Sequence, residues 1–300
     1  MLKKISAIFK LSRPTNCLLT AISVTIGAIC SDLLILENFF SQINQNSTFE
    51  LLIKAILSAT LINAAGNAFN DWRDKSIDLI NRPDRPLPAG QLESSTAVLF
   101  SSITATMGLV LSSSVTLVHL VITVFVVVLL LIYSLWLKNS VLYGNLLVGL
   151  VSSSTFPFGA FVLGGMKRAW IPASFSLLFH IGREIIKDIE DIDGDQKQGL
   201  KTLPIVYGVF TAKKITLAIF SFLAAFTLWP FFAGIYGSLY LALVIIYNAV
   251  IFLVFYLFIR NQTNISDGQL GRILKIAMIL GLTAIVIGEI ERSFLKSLAF

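Results

Sequence analysis

The chain has 300 residues, of which 56% are hydrophobic and 13% are charged, and its mean hydropathy is +0.82. These values exclude an ordinary soluble globular domain and indicate a polytopic membrane protein. We expect an all-α fold that forms one transmembrane domain over residues 1–300, in contact with membrane lipids. The net charge of +6 does not predict a nucleic-acid partner, because Lys and Arg fall mostly between apolar runs.

Nine apolar segments are long enough to cross a bilayer, which takes about 17–25 helical residues. In chain order they cover residues 16–36, 50–70, 95–116, 118–137, 141–164, 169–186, 212–233, 236–259 and 272–290. Residues 38–49 are predicted to form a polar loop. The two cysteines, Cys17 and Cys30, are expected to be apolar fillers of the first segment. His119 and His180 lie far apart with no cysteine nearby, so zinc is not predicted.

Three aspartates follow the second apolar segment at spacings i, i+3 and i+7. They are Asp71, Asp74 and Asp78, and Asn67 precedes them by one turn. A helix places all three carboxylates on one face, where like charges repel one another. A bound cation is the simplest means of holding them together. Oxygen ligands favour Mg²⁺, which usually also binds substrate phosphates, so this stretch predicts Mg²⁺ and a phosphate-bearing substrate.

A second triplet, Asp188, Asp191 and Asp195, has the same spacing at the end of the sixth segment. It follows the first triplet at a constant offset of 117 residues. The offset spans four predicted helices, which indicates two parallel four-helix units followed by a ninth helix. In that arrangement the two triplets face each other across one cavity.

The distribution of Lys and Arg predicts the orientation in the membrane. Of the 23 such residues, all but Lys54, Lys167, Arg168, Arg292 and Lys296 fall on the side of the N-terminus. The positive-inside rule therefore puts the N-terminus and both triplets on the cytoplasmic side of the cell membrane.

Two Mg²⁺ ions on the triplets are expected to bridge a diphosphate and to withdraw charge from it as a carbon–oxygen bond breaks. The basic residues near the triplets are candidates for binding the diphosphate: Arg82, Arg85, Lys138, Arg183, Lys187 and Lys201. An allylic prenyl diphosphate fits this site, because an apolar cavity keeps water from its carbocation. Phe156, Phe158 and Phe161 are candidates for cation–π contacts with it.

Four stretches resemble the signatures of the UbiA-type intramembrane prenyltransferases. They are N-D-W-R-D-K-S-I-D with N-R-P-D-R-P-L-P-A-G, then R-E-I-I-K-D-I-E-D-I-D-G-D with G-L-K-T-L-P, L-S-R-P-T-N, and L-K-N-S-V-L-Y-G-N. The resemblance covers most of the chain and implies that the six aspartates are catalytic. It further implies that Asn67, Asn70 and these aspartates bind Mg²⁺ and diphosphate, and that Arg13 and Asn16 contribute to substrate binding.

The run E-I-I-K-D-I-E-D together with N-R-P-D-R-P is most similar to the archaeal-type geranylgeranylglyceryl phosphate geranylgeranyltransferases. This similarity implies a lipid acceptor with its own phosphate, for which Lys10, Arg13, Lys138 and Lys201 are the expected cations. An aromatic or tetrapyrrole acceptor, such as 4-hydroxybenzoate, homogentisate or chlorophyllide, is the alternative. A cation-coupled transporter is the non-enzyme alternative, but it requires carboxylates near the middle of helices.

Overall fold

The computed structural model describes residues 2–31, 46–260 and 269–297, and every regular element in these ranges is helical. The α-helices are α1 (Leu2–Leu11), α2 (Pro14–Ile29), α3 (Asn46–Arg73), α4 (Lys75–Asn81), α5 (Ser94–Ser113), α6 (Leu117–Leu135), α7 (Tyr143–Ser153), α8 (Thr155–Val162), α9 (Trp170–Glu190), α10 (Ile192–Lys197), α11 (Leu203–Tyr207), α12 (Val209–Phe226), α13 (Trp229–Phe232), α14 (Ser238–Arg260) and α15 (Gln269–Ser297). A short 3₁₀ helix, Leu137–Asn139, follows α6. The predicted all-α fold is confirmed.

Within the described residues, seven helical segments are long and apolar enough to cross a membrane: α3, α5, α6, α7 with α8, α12 with α13, α14 and α15. Two further segments that the sequence predicts to cross do not meet this criterion. Helix α2 is apolar but has 16 residues, and α9 carries Arg183, Glu184 and Lys187 in its last turns. The chain is a multi-pass membrane protein, and its nine crossings remain a prediction.

Two predicted boundaries differ from the structure. Residues 46–49 belong to α3 and not to a loop, because an ion pair of 2.6 Å between Glu50 and Lys54 stabilises the first turns of this helix. The rest of the predicted loop, residues 38–45, lies outside the described residues. Helix α2 ends at Ile29, so the predicted first segment is helical over a shorter range, and residues 32–36 are again not described.

The packing of the helices follows the predicted repeat. Helix α3 packs against α2 and α5, and α9 packs in the same way against α7 and α12. The two units meet where α2 crosses α8. A Cβ atom on Gly27 would lie 2.0 Å from the carbonyl oxygen of Phe156, and one on Gly159 would lie 1.8 Å from that of Val24. Only glycine allows this backbone contact.

Two clusters of buried apolar side chains hold the helices around the cavity described below. The larger cluster joins α9, α11, α12, α14 and α15 around Phe179, Phe220 and Phe258. The second joins α2, α8, α14 and α15 and the start of α9 around Phe156 and Tyr240. The second cluster therefore connects helices from both halves of the chain.

Candidate active site

The first aspartate triplet lies at a break between two helices. Helix α3 ends at Arg73 and α4 begins at Lys75, with Asp74 between them at φ −88° and ψ 3°. Helical hydrogen bonding continues through the break, because Asp74 N–H donates to the Asn70 carbonyl and Asp78 N–H donates to the Asp74 carbonyl, both at 2.8 Å. The side chains therefore keep helical spacing. Asp71, Asp74 and Asp78 are 3%, 5% and 4% exposed.

The second triplet repeats this geometry. Helix α9 ends at Glu190 and α10 begins at Ile192, with Asp191 between them at φ −94° and ψ 5°. Asp191 is the residue that the 117-residue offset pairs with Asp74. Asp195 is buried, whereas Asp188 and Asp191 are half-buried. The repeat inferred from the sequence thus extends to the backbone conformation at the break.

The two motifs contact each other directly. The Asn81 amide donates to the Asp191 carbonyl at 3.0 Å and accepts a hydrogen bond from Gly194 N–H at 3.0 Å. Arg82 donates to both carboxylate oxygens of Asp191, at 2.9 and 2.8 Å. A Cβ atom on Gly194 would lie 2.4 Å from the Asn81 side chain, so glycine is needed for this contact.

Each carboxylate of the first motif is paired with cations from other parts of the chain. Asp71 binds Arg13, and Arg85 lies 3.1 Å from the same oxygen. Arg85 also binds Asp78 at 2.6 Å. Lys138, on the 3₁₀ helix, binds Asp74 at 2.5 Å. These pairs offset the repulsion between the three aspartates.

The backbone at Arg13 explains how this residue reaches Asp71. Arg13 stands between α1 and α2 at φ 52° and ψ 70°, the left-handed region, and it is the non-glycine residue with positive φ among those described. Pro14 follows it at the first position of α2. A β-carbon in this region is strained, and such strain is typical of functional sites. Arg13 keeps this left-handed conformation, in which its guanidinium contacts the buried carboxylate of Asp71.

Burial changes the proton affinity of aspartates in both motifs. Burial raises the pKa of Asp78, against the opposing effect of Arg85. Burial, together with the charges of Asp191 and Asp74, raises the pKa of Asp195 to about 6, against the opposing effect of Lys138. A raised carboxyl pKa indicates that the neighbouring positive charges and hydrogen bonds do not fully offset the desolvation cost of the ionised carboxylate.

A cavity of about 860 Å³ opens beside the two motifs. Seven basic side chains line it: Lys10, Arg13, Arg82, Arg85, Arg183, Lys187 and Lys275. Glu184 is the one carboxylate among the described lining residues, and it accepts hydrogen bonds from Lys187 at 2.7 Å and Arg183 at 3.2 Å. The remainder of the wall is mostly apolar and aromatic. The cavity therefore combines an anion-binding mouth with a hydrocarbon-binding interior.

The cavity wall follows the repeat as well. Helices α3 and α9 contribute lining residues in pairs that are separated by 117 positions. These pairs are Ala59 and Ser176, Ile62 and Phe179, Asn63 and His180, Gly66 and Arg183, Asn67 and Glu184, and Asn70 and Lys187. The two helices thus present corresponding faces to one cavity, although the side chains on those faces differ.

The structure brings most of the predicted substrate-binding residues to this cavity: Arg13, Asn16, Asn67, Asn70, Arg82, Arg85, Arg183 and Lys187. Lys138 is not part of the wall and stands behind it, on Asp74. Lys201 is exposed and is not part of the cavity wall, and its backbone N–H donates to the Asn139 side chain at 2.8 Å. Of the predicted aromatic residues, Phe156 and Phe158 line the cavity and Phe161 does not.

The sequence predictions missed three residues of the site. Glu184 was detectable, because the 117-residue offset pairs it with Asn67. Asn145 ends the stretch L-K-N-S-V-L-Y-G-N, to which no role was assigned, and it donates to Asp188 at 2.7 Å across the contact between α7 and α9. Lys275 lines the cavity from α15. In the sequence it resembles the cations that flank membrane-spanning helices.

The donor atoms around the triplets are oxygens. Among the described residues, no three Asp, Glu, His or Cys side chains converge on one point. Among the described residues, the buried Oδ1 of Asn70 has no hydrogen-bond partner, although Nδ2 of the same side chain donates to Asp74 at 2.7 Å. A buried carbonyl oxygen without a donor, next to carboxylates, is a position that a hard cation satisfies.

Comparisons with known proteins agree with this fold. Residues 36–279 match the UbiA prenyltransferase family. The chain belongs to this family of membrane prenyltransferases. It is 31% identical to the digeranylgeranylglyceryl phosphate synthase of Methanosphaera stadtmanae, over 93% of this chain and 97% of that protein. It is 34% identical to the synthase of the same name from Methanopyrus kandleri, over the same shares.

Solved structures show the same architecture. One structure, described as digeranylgeranylglyceryl phosphate synthase in membranes, superposes with a TM-score of 0.70 at 30% identity, over 96% of this chain and 99% of that chain. A UbiA homolog from Archaeoglobus fulgidus, bound to GPP and Mg²⁺, gives a TM-score of 0.66 at 16% identity, over 93% of this chain and 99% of that chain.

Proposed function

We propose that this protein is a digeranylgeranylglyceryl phosphate synthase, with residues 1–300 forming one catalytic domain. It transfers a geranylgeranyl group from geranylgeranyl diphosphate to the hydroxyl of geranylgeranylglyceryl phosphate and releases diphosphate. The observation that carries the proposal is the cavity of about 860 Å³, which seven cations among the described residues line together with a mostly apolar remainder. The names of the relatives support the same reaction.

The site fits Mg²⁺, because its donors are carboxylate and amide oxygens and because Asn70 Oδ1 has no partner in the described part of the chain. The residues proposed to hold the ions are Asn67, Asp71, Asp74, Asp78, Asp188, Asp191 and Asp195. When bound, Mg²⁺ neutralises charge on the diphosphate and makes it a better leaving group. The Archaeoglobus homolog, which binds GPP and Mg²⁺, supports this assignment.

The residues of the chain itself supply binding, orientation and exclusion of water. Arg82 and Arg85 line the mouth and contact aspartates of both motifs, so they are placed to orient the diphosphate. The C1–O bond to diphosphate breaks, and a C1–O bond to the acceptor hydroxyl forms. The hydroxyl proton goes to the released diphosphate or to a nearby carboxylate. Phe156 and Phe158 help to keep the cavity dry.

The proposed orientation puts the mouth of the cavity on the cytoplasmic side. It rests on the excess of Lys and Arg on that side of the predicted helices. Both motifs share one side in this arrangement, which agrees with the hydrogen bonds between Asn81 and α10. Water-soluble diphosphate would then leave directly to the cytoplasm.

The test is a product assay on purified enzyme. Radiolabelled geranylgeranyl diphosphate is incubated with geranylgeranylglyceryl phosphate, 4-hydroxybenzoate, homogentisate or chlorophyllide, with Mg²⁺ or with EDTA. We expect a Mg²⁺-dependent product with the phosphorylated lipid acceptor alone. Prenylation of an aromatic acid or chlorophyllide, with none of the lipid, would contradict the proposed acceptor but not the family.

A further inference from the structure

Lys275 is a cavity cation that the aspartate motifs do not use. It lies near the start of α15, is half-buried and lines the cavity. Within the described ranges it makes no hydrogen bond or ion pair, whereas Arg13, Arg82 and Arg85 each bind an aspartate. A cation at the wall of an apolar cavity without a partner carries an uncompensated desolvation cost.

The surroundings of Lys275 add to that cost. The positive charges of Arg183 and Arg13 act on it, and both side chains line the same cavity. Arg13 shares Asp71 with Arg85, and Arg183 shares Glu184 with Lys187, at 3.2 Å for Arg183. Among these three cations, Lys275 is therefore the one that has no carboxylate partner in the described residues and is open to an incoming anion.

An apolar stripe runs along α15 below Lys275. Leu274, Met278, Leu282 and Ile285 lie at helical spacings of four, four and three residues, and all of them line the cavity. From Lys275 to Ile285 the helix rises by about 15 Å. One helix thus presents a single cation at the mouth, followed by a long hydrocarbon surface that leads into the membrane.

We propose that Lys275 binds the phosphate of the acceptor lipid and that the acceptor tail lies along the α15 stripe. The inference rests on the proposed function, since it assigns a subsite for the second substrate of that reaction. A phosphate monoester carries about −1.5 to −2 charges at pH 7 and needs no metal to meet an ammonium group. The diphosphate of the donor is assigned to the aspartate motifs, so the two substrates do not compete for cations.

This assignment replaces the acceptor cations expected from the sequence. Arg13 and Lys138 are bound to Asp71 and Asp74, and Lys201 lies outside the cavity. Lys10 lines the cavity but is exposed on α1. Unlike these four cations, Lys275 combines partial burial, a place in the wall and the lack of a carboxylate partner among the described residues.

The first experiment measures the KM values of both substrates in Lys275→Met. We expect the KM for geranylgeranylglyceryl phosphate to rise on the order of ten-fold, because a charge-assisted contact is lost, while the KM for geranylgeranyl diphosphate changes little. With geranylgeranylglycerol, an acceptor that lacks the phosphate, the substitution should have no selective effect. Lys275→Arg should restore most of the affinity, since it keeps the charge.

The matched control is Arg272→Met, which removes the same charge from the same helix. Arg272 is exposed and is not part of the cavity wall, so both KM values should stay at the wild-type level. If Lys275→Met does not insert into the membrane, Lys275→Gln serves in its place. Equal changes in both KM values, or the same effect from Arg272→Met, would overturn the assignment.

The second experiment tests the position of the tail. A Cβ atom on Gly281 would lie 3.6 Å from the Tyr247 ring, an ordinary contact, so Gly281→Leu adds bulk to the cavity wall without a backbone clash. Gly66→Leu adds the same bulk to the opposite wall, where Leu130 is the neighbour at 3.0 Å. Gly281→Leu should raise the acceptor KM more than Gly66→Leu does, and the reverse order would refute the tail placement.

The outcomes for the inference and for the proposed function are distinguishable. If the wild-type enzyme turns over the phosphorylated lipid but Lys275→Met leaves its KM unchanged, the inference is wrong and the proposed function stands. If the wild-type enzyme does not use this lipid, both are wrong.

Discussion

Asp195→Asn is expected to stabilise the metal-free protein while it removes activity. Asp195 is 4% exposed, and burial raises the pKa of its carboxyl from 3.8 to about 6. A carboxyl group whose pKa is raised on folding binds more protons in the folded state, so the stability falls as the pH rises from about 4 to about 6. Above that window the ionised carboxylate costs about 3 kcal/mol, at 1.36 kcal/mol per pKa unit.

The assay is thermal unfolding in detergent with EDTA at pH 7.5, combined with the turnover number in Mg²⁺. Asparagine cannot ionise, so Asp195→Asn should raise the Tm at pH 7.5, and the gain should shrink as the pH falls below 6. The turnover number should drop steeply, because the metal loses a charged ligand. In the wild-type enzyme the apparent affinity for Mg²⁺ should fall as the pH drops through about 6, since protons and metal compete for the carboxylate.

Asp193→Asn is the matched control. Asp193 lies two residues away on the same short helix but is exposed, so the same substitution should change neither the Tm nor the turnover number appreciably. A lower Tm for Asp195→Asn at pH 7.5 would refute the reasoning, because it would show that the ionised carboxylate is net stabilising in the metal-free fold.

Three further predictions concern the metal, the topology and the contact between the two units. EDTA should abolish activity, and full activity in EDTA would contradict the metal assignment. The variants Asp71→Asn and Asp188→Asn should each lose most turnover while the protein still inserts into the membrane. Cysteines placed near Arg82 and near Gln198 should react with an impermeant thiol reagent from the same, cytoplasmic side. Labelling from opposite sides would refute the topology. Gly159→Ala should destabilise the protein by about 1–3 kcal/mol or more, because the added Cβ would lie 1.8 Å from a backbone oxygen. An unchanged Tm would contradict the close packing of α2 and α8.

The local parts of the site were predictable from the sequence. Helical spacing is a short-range property, so three aspartates at i, i+3 and i+7 identify a face wherever the helix packs. The constant offset also predicted that the triplets face each other across one cavity. In the structure the two motifs contact each other through Asn81 and Asp191, and none of the six aspartates lines the cavity beside them. No sequence feature predicted the helix breaks at Asp74 and Asp191. Once a break is known in one motif, however, the repeat predicts a break at the corresponding residue of the other.

The parts that depend on long-range packing were not predictable. Lys201 follows the second motif closely, yet it is exposed and lies outside the cavity wall, with its backbone N–H on Asn139. Lys275 is about 80 residues beyond that motif, and only the packing of α15 brings it to the mouth. A lysine at the start of an apolar helix is ordinarily a boundary residue, so its sequence context favours the wrong assignment.

The repeat has a chemical consequence, because its two halves match in position but not in charge. Asn67 corresponds to Glu184, and Asn70 corresponds to Lys187, and all four line the cavity. The α3 wall therefore offers neutral amides where the α9 wall offers an ion pair of 2.7 Å. A repeat with identical walls would present two equivalent sites and would favour two identical substrates. In this protein the paired aspartates are kept while the residues around them differ, and the α9 wall is the one that shares the cavity mouth with Lys275. A transferase requires this asymmetry if it binds one lipid through a metal-bound diphosphate and another through a simple phosphate.

The substitution Asn67→Glu makes the two walls alike at that pair of residues. It should weaken donor binding more than acceptor binding. A larger loss of acceptor affinity, measured as the ratio of the two KM values, would contradict this division of the walls.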